Sequence, residues 1–148
     1  MSSQLTTIVD AIVGMSVAPI TTVLRGTSLK NAVQIADAPV RIVSAVGMQS
    51  ARTRTATLGG SGHVMTAEWT ITDVALIRAA GVGLGLSDVA GDMESYLAAY
   101  HDAVRTLVNP SWAIIDVRCR AQILEWPQAS GRYFDAVIAT VQISEIIQ

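Results

Sequence analysis

The chain has 148 residues, of which 51% are apolar and 15% charged, so it is long enough for a single domain over residues 1–148 with a real core. A formal net charge of −2 excludes a general electrostatic attraction to nucleic acid or to an anionic membrane, although a local basic patch stays open. No apolar stretch is long enough to predict a membrane span, and no Lys or Arg precedes the apolar run after Asp10, which predicts a mature, cytosolic chain.

A short amphipathic helix is predicted near the N-terminus, over residues 4–14. Apolar side chains recur there at the three-and-four spacing of one helical face, and Gly14 and Pro19 end the pattern. The signals between Pro19 and Ala38 are mixed. They predict no more than a helical turn that begins near Ser28.

Next comes a strand followed by a long connection. Pro39 opens the stretch PVRIVSAVG, which predicts a strand that ends at Gly47. The following residues, 48–62, read MQSARTRTATLGGSG and contain Arg52 and Arg54 but show no apolar periodicity. We expect a flexible connection there that projects between two strands.

The stretch HVMTAEWTITDVALIRAAGVG, residues 63–83, predicts a long, half-buried strand. Its odd positions are mostly apolar, and they include Trp69, which we expect in the core, whereas threonines and a glutamate occupy the even positions. Asp73 interrupts the apolar side, and the even positions become apolar at Val74 and Leu76. This change predicts a bulge or a change of burial near these residues.

A helix about twenty residues long is predicted from Ser87 to Val108, where the apolar period changes. Pro110 follows as a stop signal. Tyr96 and Tyr100 are four residues apart on the apolar stripe of this helix, so we expect both in the core.

Two strands around a turn are predicted in the C-terminal part. Residues 115–123 alternate between apolar side chains and polar ones, which include Asp116, Arg118 and Arg120, and residues 135–145 alternate again. The order of elements predicts an α+β fold: a mainly antiparallel four-stranded sheet, helices packed on one face, and a long projecting β-hairpin loop.

The glycines of GVGLG, Gly81, Gly83 and Gly85, lie between a predicted strand and a predicted helix, which is the context of a phosphate-binding turn. Their spacing is not that of a dinucleotide-binding turn, and the strand before them is too polar. The stretch GGSGH, residues 59–63, lacks the closing glycine of a nucleophile elbow. A plain connection is the favoured interpretation of both segments.

The histidines and the cysteine show no pattern of a metal site or of a catalytic group. His63, His101 and Cys119 have no ligand spacing among them, so surface histidines are expected. A single cysteine also excludes an internal disulfide. We therefore predict a protein that is not an enzyme and that carries no cofactor or metal.

Five charged residues are the candidates for interaction: Arg52, Arg54, Asp116, Arg118 and Arg120. One interpretation is a solvated surface, since exposed ion pairs contribute little to stability. The other is that these residues contact a neighbouring subunit or line a channel. That interpretation gains weight because the chain has few other charges.

Four stretches in order, DAPVRIV, AEWTITDVAL, DMESYLAAYHDAV and ILEWPQASGRYFDAVIATVQISE, resemble the tail terminator proteins of long, non-contractile-tailed bacteriophages, the lambda tail terminator-like family of siphophages. The resemblance covers the chain from Leu5 to Glu145. A tryptophan in the middle of a strand and aromatic residues before the last strand recur in that family. Trp69, Tyr133 and Phe134 occupy these places here.

The resemblance implies a structural virion protein, made in the host cytoplasm, of which six copies form a ring. The ring would cap the tail tube, end its polymerisation and join the tail to the head or neck connector. The implied partners are other copies of the chain, the major tail tube protein and the connector or stopper protein, with room for a passing contact with DNA in the lumen and no membrane contact. Another neck component, such as a stopper or adaptor, stays open, as does a small α+β enzyme or nucleotide-binding domain that uses Gly81–Gly85.

Overall fold

The computed structural model describes residues 5–18, 20–25, 39–44, 52–57, 64–79, 86–126 and 131–147, with the strand at 52–57 described by its backbone. Two helices and six strands follow one another in this part of the chain. They are α1 (Leu5–Val13), β1 (Thr22–Arg25), β2 (Val40–Ser44), β3 (Arg52–Thr57), β4 (Val64–Ala79), α2 (Leu86–Arg105), β5 (Trp112–Glu125) and β6 (Tyr133–Ile147). The α+β class predicted from the sequence is confirmed.

The strands form one mixed sheet in the order β1, β2, β4, β6, β5. β3 also pairs with β4, alongside residues 64–69, whereas β2 pairs with residues 72–76 of the same strand. All pairs are antiparallel except β1 with β2. The predicted four-stranded sheet is therefore wrong in number, because it lacks β1 and β3, although most of the pairing is antiparallel as expected.

The predicted connection at 48–62 is wrong for its central part, which forms β3. Its sequence RTRTAT alternates with the period of a strand, and it pairs residue by residue with β4 from Arg52↔Trp69 to Thr57↔Val64. β3 contains only one apolar residue, so hydrophobic alternation gave no signal there. β2 and β3 both run antiparallel to β4, and the ends of the predicted projecting loop lie outside the described residues.

Both helices pack on one face of the sheet, here called the helix face. α1 buries Ile8 and Ile12, and α2 buries Tyr96, Tyr100 and Val104, as their three-and-four spacing requires. The two tyrosines are thus in the core, as predicted. They pack in one cluster with odd-numbered residues of β4 and β6: Ala67, Trp69, Ile71, Ala75, Val137, Ala139, Val141 and Ile143.

A second apolar cluster lies on the opposite face of the sheet, here called the second face. Its buried members are Val40, Ile42, Val74, Leu76, Phe134 and Ala136. These residues explain why the even positions of β4 become apolar at Val74 and Leu76, and the predicted change of burial is confirmed. The pairing of β4 with β6 also shifts between Leu76 and Arg78, close to the expected bulge.

Several predictions fall outside the described residues. They concern the helical turn near Ser28, Ser61 with His63, and the glycines Gly81–Gly85. Neither helix of the described part is long and apolar enough to cross a membrane.

Candidate functional site

A polar groove crosses the second face at β5 and β6. Asp116, Arg118 and Arg120 pair with Gln142, Thr140 and Ile138 in the antiparallel register. Val117 and Cys119, between them, pack with the helix-face cluster, so the alternate positions must belong to the second face. The groove has a volume of about 390 Å³ and is lined by Asp116, Arg118, Cys119, Arg120, Ile138, Thr140 and Gln142, most of which are polar.

The polar character of the groove continues across the sheet in a row of paired residues. Ser44 pairs with Thr72, Thr72 with Thr140, and Thr140 with Arg118. Three hydroxyl groups and one guanidinium therefore share one row across four strands. The sequence indicated the charged members of this surface but gave no sign that the hydroxyl-bearing residues extend it.

The charged groups of the groove are accessible. The Nε of Arg118 donates a hydrogen bond of 2.7 Å to Oδ2 of Asp116, with side chains that are 82% and 38% exposed. An exposed pair of this kind contributes little to folding, so stability does not explain it. Arg120 is also exposed and forms no ion pair within the described part of the chain.

Arg52 and Arg54, the other two predicted interaction residues, lie in β3. β4 and β6 separate β3 from β5 in the sheet, a backbone distance of roughly 14 Å at the usual strand spacing. Arg52 is paired with Trp69 and Arg54 with Ala67, which belong to rows of the helix face. The structure thus brings Asp116, Arg118 and Arg120 together on β5. Arg52 and Arg54 lie on β3, which is separated from β5 within the sheet by β4 and β6.

A buried polar network connects the sheet with both helices, and the sequence interpretation missed it. The Nη1 and Nη2 atoms of Arg41 donate to the carbonyl oxygens of Met15 and Ile12 at the end of α1, at 2.7 and 3.0 Å. The Nε of Arg41 lies 3.2 Å from Oδ2 of Asp73, and the hydroxyl of Tyr100 donates to the same oxygen at 2.9 Å. One arginine thereby binds two carbonyl groups at the C-terminal end of α1 and just beyond it.

Burial governs the protonation of this network. It raises the pKa of Asp73, while hydrogen bonds and charge attraction from Arg41 oppose the rise. Burial also raises the pKa values of the Tyr96 and Tyr100 phenols, which stay neutral. The sequence held a signal for the pair: one arginine in the apolar stretch PVRIVSAVG and one aspartate on the apolar side of the next strand.

A second buried contact joins Trp69 and Glu145. The indole Nε1 of Trp69 donates to Oε2 of Glu145 at 2.7 Å, and both residues are buried. Trp69 is therefore in the core as expected, but it also has a polar role. Glu145 interrupts the apolar alternation of the odd-numbered residues of β6, and this position in the pattern could have indicated a buried partner.

The remaining candidate residues give no chemical site in the described part of the chain. His101 is exposed on α2, as predicted, and burial raises the pKa of the Cys119 thiol to about 11. No group of three His, Cys, Asp or Glu residues among the described residues could hold a metal ion. The polar groove is thus the surface of interest among the described residues.

Comparison with known proteins identifies no family. No protein-family profile matches the chain, and no curated protein matches it. The proposal that follows depends on the geometry of the sheet and on the order of elements in the sequence.

Proposed function

We propose that the protein is a structural virion protein, a phage tail terminator. Six copies form a ring that caps the tail tube, ends its polymerisation and joins the tail to the head or neck connector. The observation that carries the proposal is the unequal cover of the sheet. Both helices pack on the helix face, whereas the second face keeps the accessible polar groove at Asp116, Arg118 and Arg120.

The length of the strands supports an assembly role. β4, β5 and β6 have 16, 14 and 15 residues, which corresponds to roughly 45–55 Å of extended chain. α2, with 20 residues, spans only about 30 Å. A subunit of this shape with its strands along the axis of a ring has two separate ends, one for the tail tube and one for the connector.

The two faces of the sheet suit the two sides of such a ring. With the helix face outside, the polar groove borders the channel through which DNA passes. A surface with hydroxyl groups and few cations would contact the phosphate backbone of DNA only weakly. Affinity for DNA rises with each phosphate that is neutralised, so few cations give low affinity. On this proposal Arg118 and Arg120 make such contacts, since both belong to the second face.

The test is to add the purified protein to tail-tube protein from the same genome while the tube polymerises. We expect negative-stain electron microscopy to show rings of fixed diameter at one end of each tube, and light scattering to show that growth stops. The same protein with Arg105→Glu, an exposed change on α2, serves as the control and should cap the tubes equally well.

Two results would contradict the proposal. Tubes that grow to the same length with and without the protein would exclude a terminator. Binding to a connector protein without any effect on the tube would instead identify a stopper or adaptor of the neck.

A further inference from the structure

In the part of the chain that the structure describes, β5 forms an edge of the sheet. It stands last in the strand order, and within the described residues it pairs only with β6. Backbone hydrogen bonds from Trp126 N to Arg132 O and from Ile146 N to Ser111 O, each 2.9 Å, mark hydrogen-bonded pairs at both ends of this ladder. Because such pairs alternate, residues 116–124 with even numbers direct their backbone groups toward β6, and the odd-numbered residues between them direct theirs outward.

Between its irregularity at Ile114–Asp116 and its end at Glu125, the outward edge of β5 has few of the features that protect an edge strand. It contains no proline and no lysine, and the charges at Asp116, Arg118 and Arg120 belong to the second face. Ala121 and Ile123, on the helix-face side, are exposed, Ile123 by 63%. A strand added at this edge would bond the outward backbone groups and cover both side chains.

β3 provides a second edge on the other side of the sheet. Among the described residues it pairs only with β4, and the same alternation directs the backbone of Arg52, Arg54 and Ala56 outward. β5 runs in the same direction as β4, and β3 runs opposite to it. A rotation about an axis along the strands preserves these directions, so β5 of one copy would meet β3 of the next in the antiparallel sense.

We infer that the subunit interface of the ring is a head-to-tail ladder in which β5 of one copy pairs antiparallel with β3 of the next copy. This inference rests on the proposed function and adds the surface by which the ring closes. Each contact uses two different edges, so a closed ring leaves neither of them free.

Charge favours this arrangement over a two-fold pairing of β5 with itself. A two-fold pair would bring Arg118 and Arg120 of both copies to the same face and would leave β3 unpaired. The head-to-tail ladder keeps Arg118 and Arg120 of one copy in rows of the second face, away from the same residues of the next copy.

The test uses proline at outward positions of each edge. Ala121→Pro removes an outward N–H of β5, and Ala56→Pro removes one of β3, without loss of a hydrogen bond inside the subunit. Ala121→Ser and Ala56→Ser keep the N–H and are the matched controls. Circular dichroism checks the fold, and light scattering with electron microscopy measures assembly at high concentration with tail-tube protein present.

We expect rings from the wild type and from both serine variants, and monomers from each proline variant. A mixture of the two proline variants should give a one-to-one dimer. The intact β3 edge of the Ala121→Pro protein can pair with the intact β5 edge of the Ala56→Pro protein. If Ala121→Pro does not fold, Ala121→Lys keeps the N–H but places a charge at the edge, and it should also prevent ring closure.

Rings that persist in the folded Ala121→Pro or Ala121→Lys protein would overturn the interface and leave the proposed function standing. A dimer that is lost with Ala121→Pro but unaffected by Ala56→Pro would replace the head-to-tail ladder by two-fold pairing of β5. A wild-type protein that stays monomeric even with tail-tube protein would overturn both the interface and the proposed function.

Discussion

The guanidinium of Arg41 binds the carboxylate of Asp73 in the centre of the protein, where neither side chain is accessible to solvent. Arg41 also binds the carbonyl groups of Ile12 and Met15 at the end of α1. Asp73 accepts a hydrogen bond from Tyr100 on α2. One ion pair therefore connects the sheet to both helices, and its loss should affect the whole fold.

Loss of one member of this pair should be costly. We expect Asp73→Leu to lower the free energy of unfolding by about 3–5 kcal/mol, because Arg41 is left as an unpaired buried charge. The double variant with Arg41→Met should lose less than the sum of the two single changes. Urea denaturation of the four proteins measures this coupling, and additive losses would contradict it.

Tyr100 and Tyr96 provide a matched comparison. Their rings are 6.0 Å apart, but only Tyr100 binds Asp73, while the buried hydroxyl of Tyr96 has no hydrogen-bond partner among the described residues. We expect Tyr100→Phe to cost about 1.5–3 kcal/mol, the usual range for a hydrogen bond to a charged group. Tyr96→Phe should leave the free energy of unfolding unchanged or raise it. If urea denaturation gave the same loss in free energy of unfolding for both variants, the hydrogen bond to Asp73 would not account for the loss in Tyr100→Phe.

Much of the fold followed from apolar spacing. α1 and α2 were predicted within a few residues, and β4, β5 and β6 from their period of two, because each element has one face against the core. β1 and β3 were missed, since β1 lies in a segment of mixed signals and β3 is polar.

The buried pair of Arg41 and Asp73 could not be predicted from each strand alone. Within its own strand, each residue only interrupts an apolar pattern. They form a favourable contact because β2 and β4 pair with each other, and the sequence does not give that register. The groove residues of β5 were found because alternation alone assigns them to one face, whereas their neighbours on β6 required the pairing.

Two glycines should respond in opposite directions to the same change. Gly131 has a φ of 74°, so Gly131→Ala should cost about 1–2 kcal/mol from backbone strain alone, since nothing lies within 4 Å of the added carbon. Gly91 lies within α2 and is also unobstructed, so Gly91→Ala should stabilise by about 0.5–1 kcal/mol. Thermal unfolding measures both, and a shift of the same sign in the two variants would contradict the prediction.

The thiol of Cys119 should be unreactive near neutral pH. Burial raises its pKa from 9.0 to about 11, so the protein favours the protonated form. The unfolded chain ionises first, so the resulting stabilisation is present below pH 9 and is lost as the pH rises through about 11. We expect the rate of alkylation by iodoacetamide to rise steeply only toward pH 11 in the native protein and near its ordinary pKa in urea. A native rate that levels off by pH 9 would show a normal thiol.

Arg118 and Arg120 should matter for assembly and not for folding. We expect Arg118→Glu with Arg120→Glu to leave the free energy of unfolding within about 0.5 kcal/mol of the wild type, because both side chains are exposed. Tail assembly should be impaired, while Arg105→Glu, also exposed, should have no effect. Urea denaturation measures the free energy of unfolding. If the protein is the proposed tail terminator, complementation of a phage that lacks its gene compares tail assembly for the two variants. Tails of normal length and infectivity from the double variant would make these residues ordinary surface.

Burial on both sides of β2 gives the ion pair a further consequence. Val40, Ile42 and Val43 are all buried, on opposite faces of the same short strand. The apolar contacts of these residues would survive if β2 shifted by one residue along β4. They therefore distinguish poorly between the correct register and a shifted one. Such a slip would separate Asp73 from Arg41 and leave an unpaired charge in the apolar interior. We therefore expect the ion pair to disfavour misaligned pairing of β2 with β4 during folding.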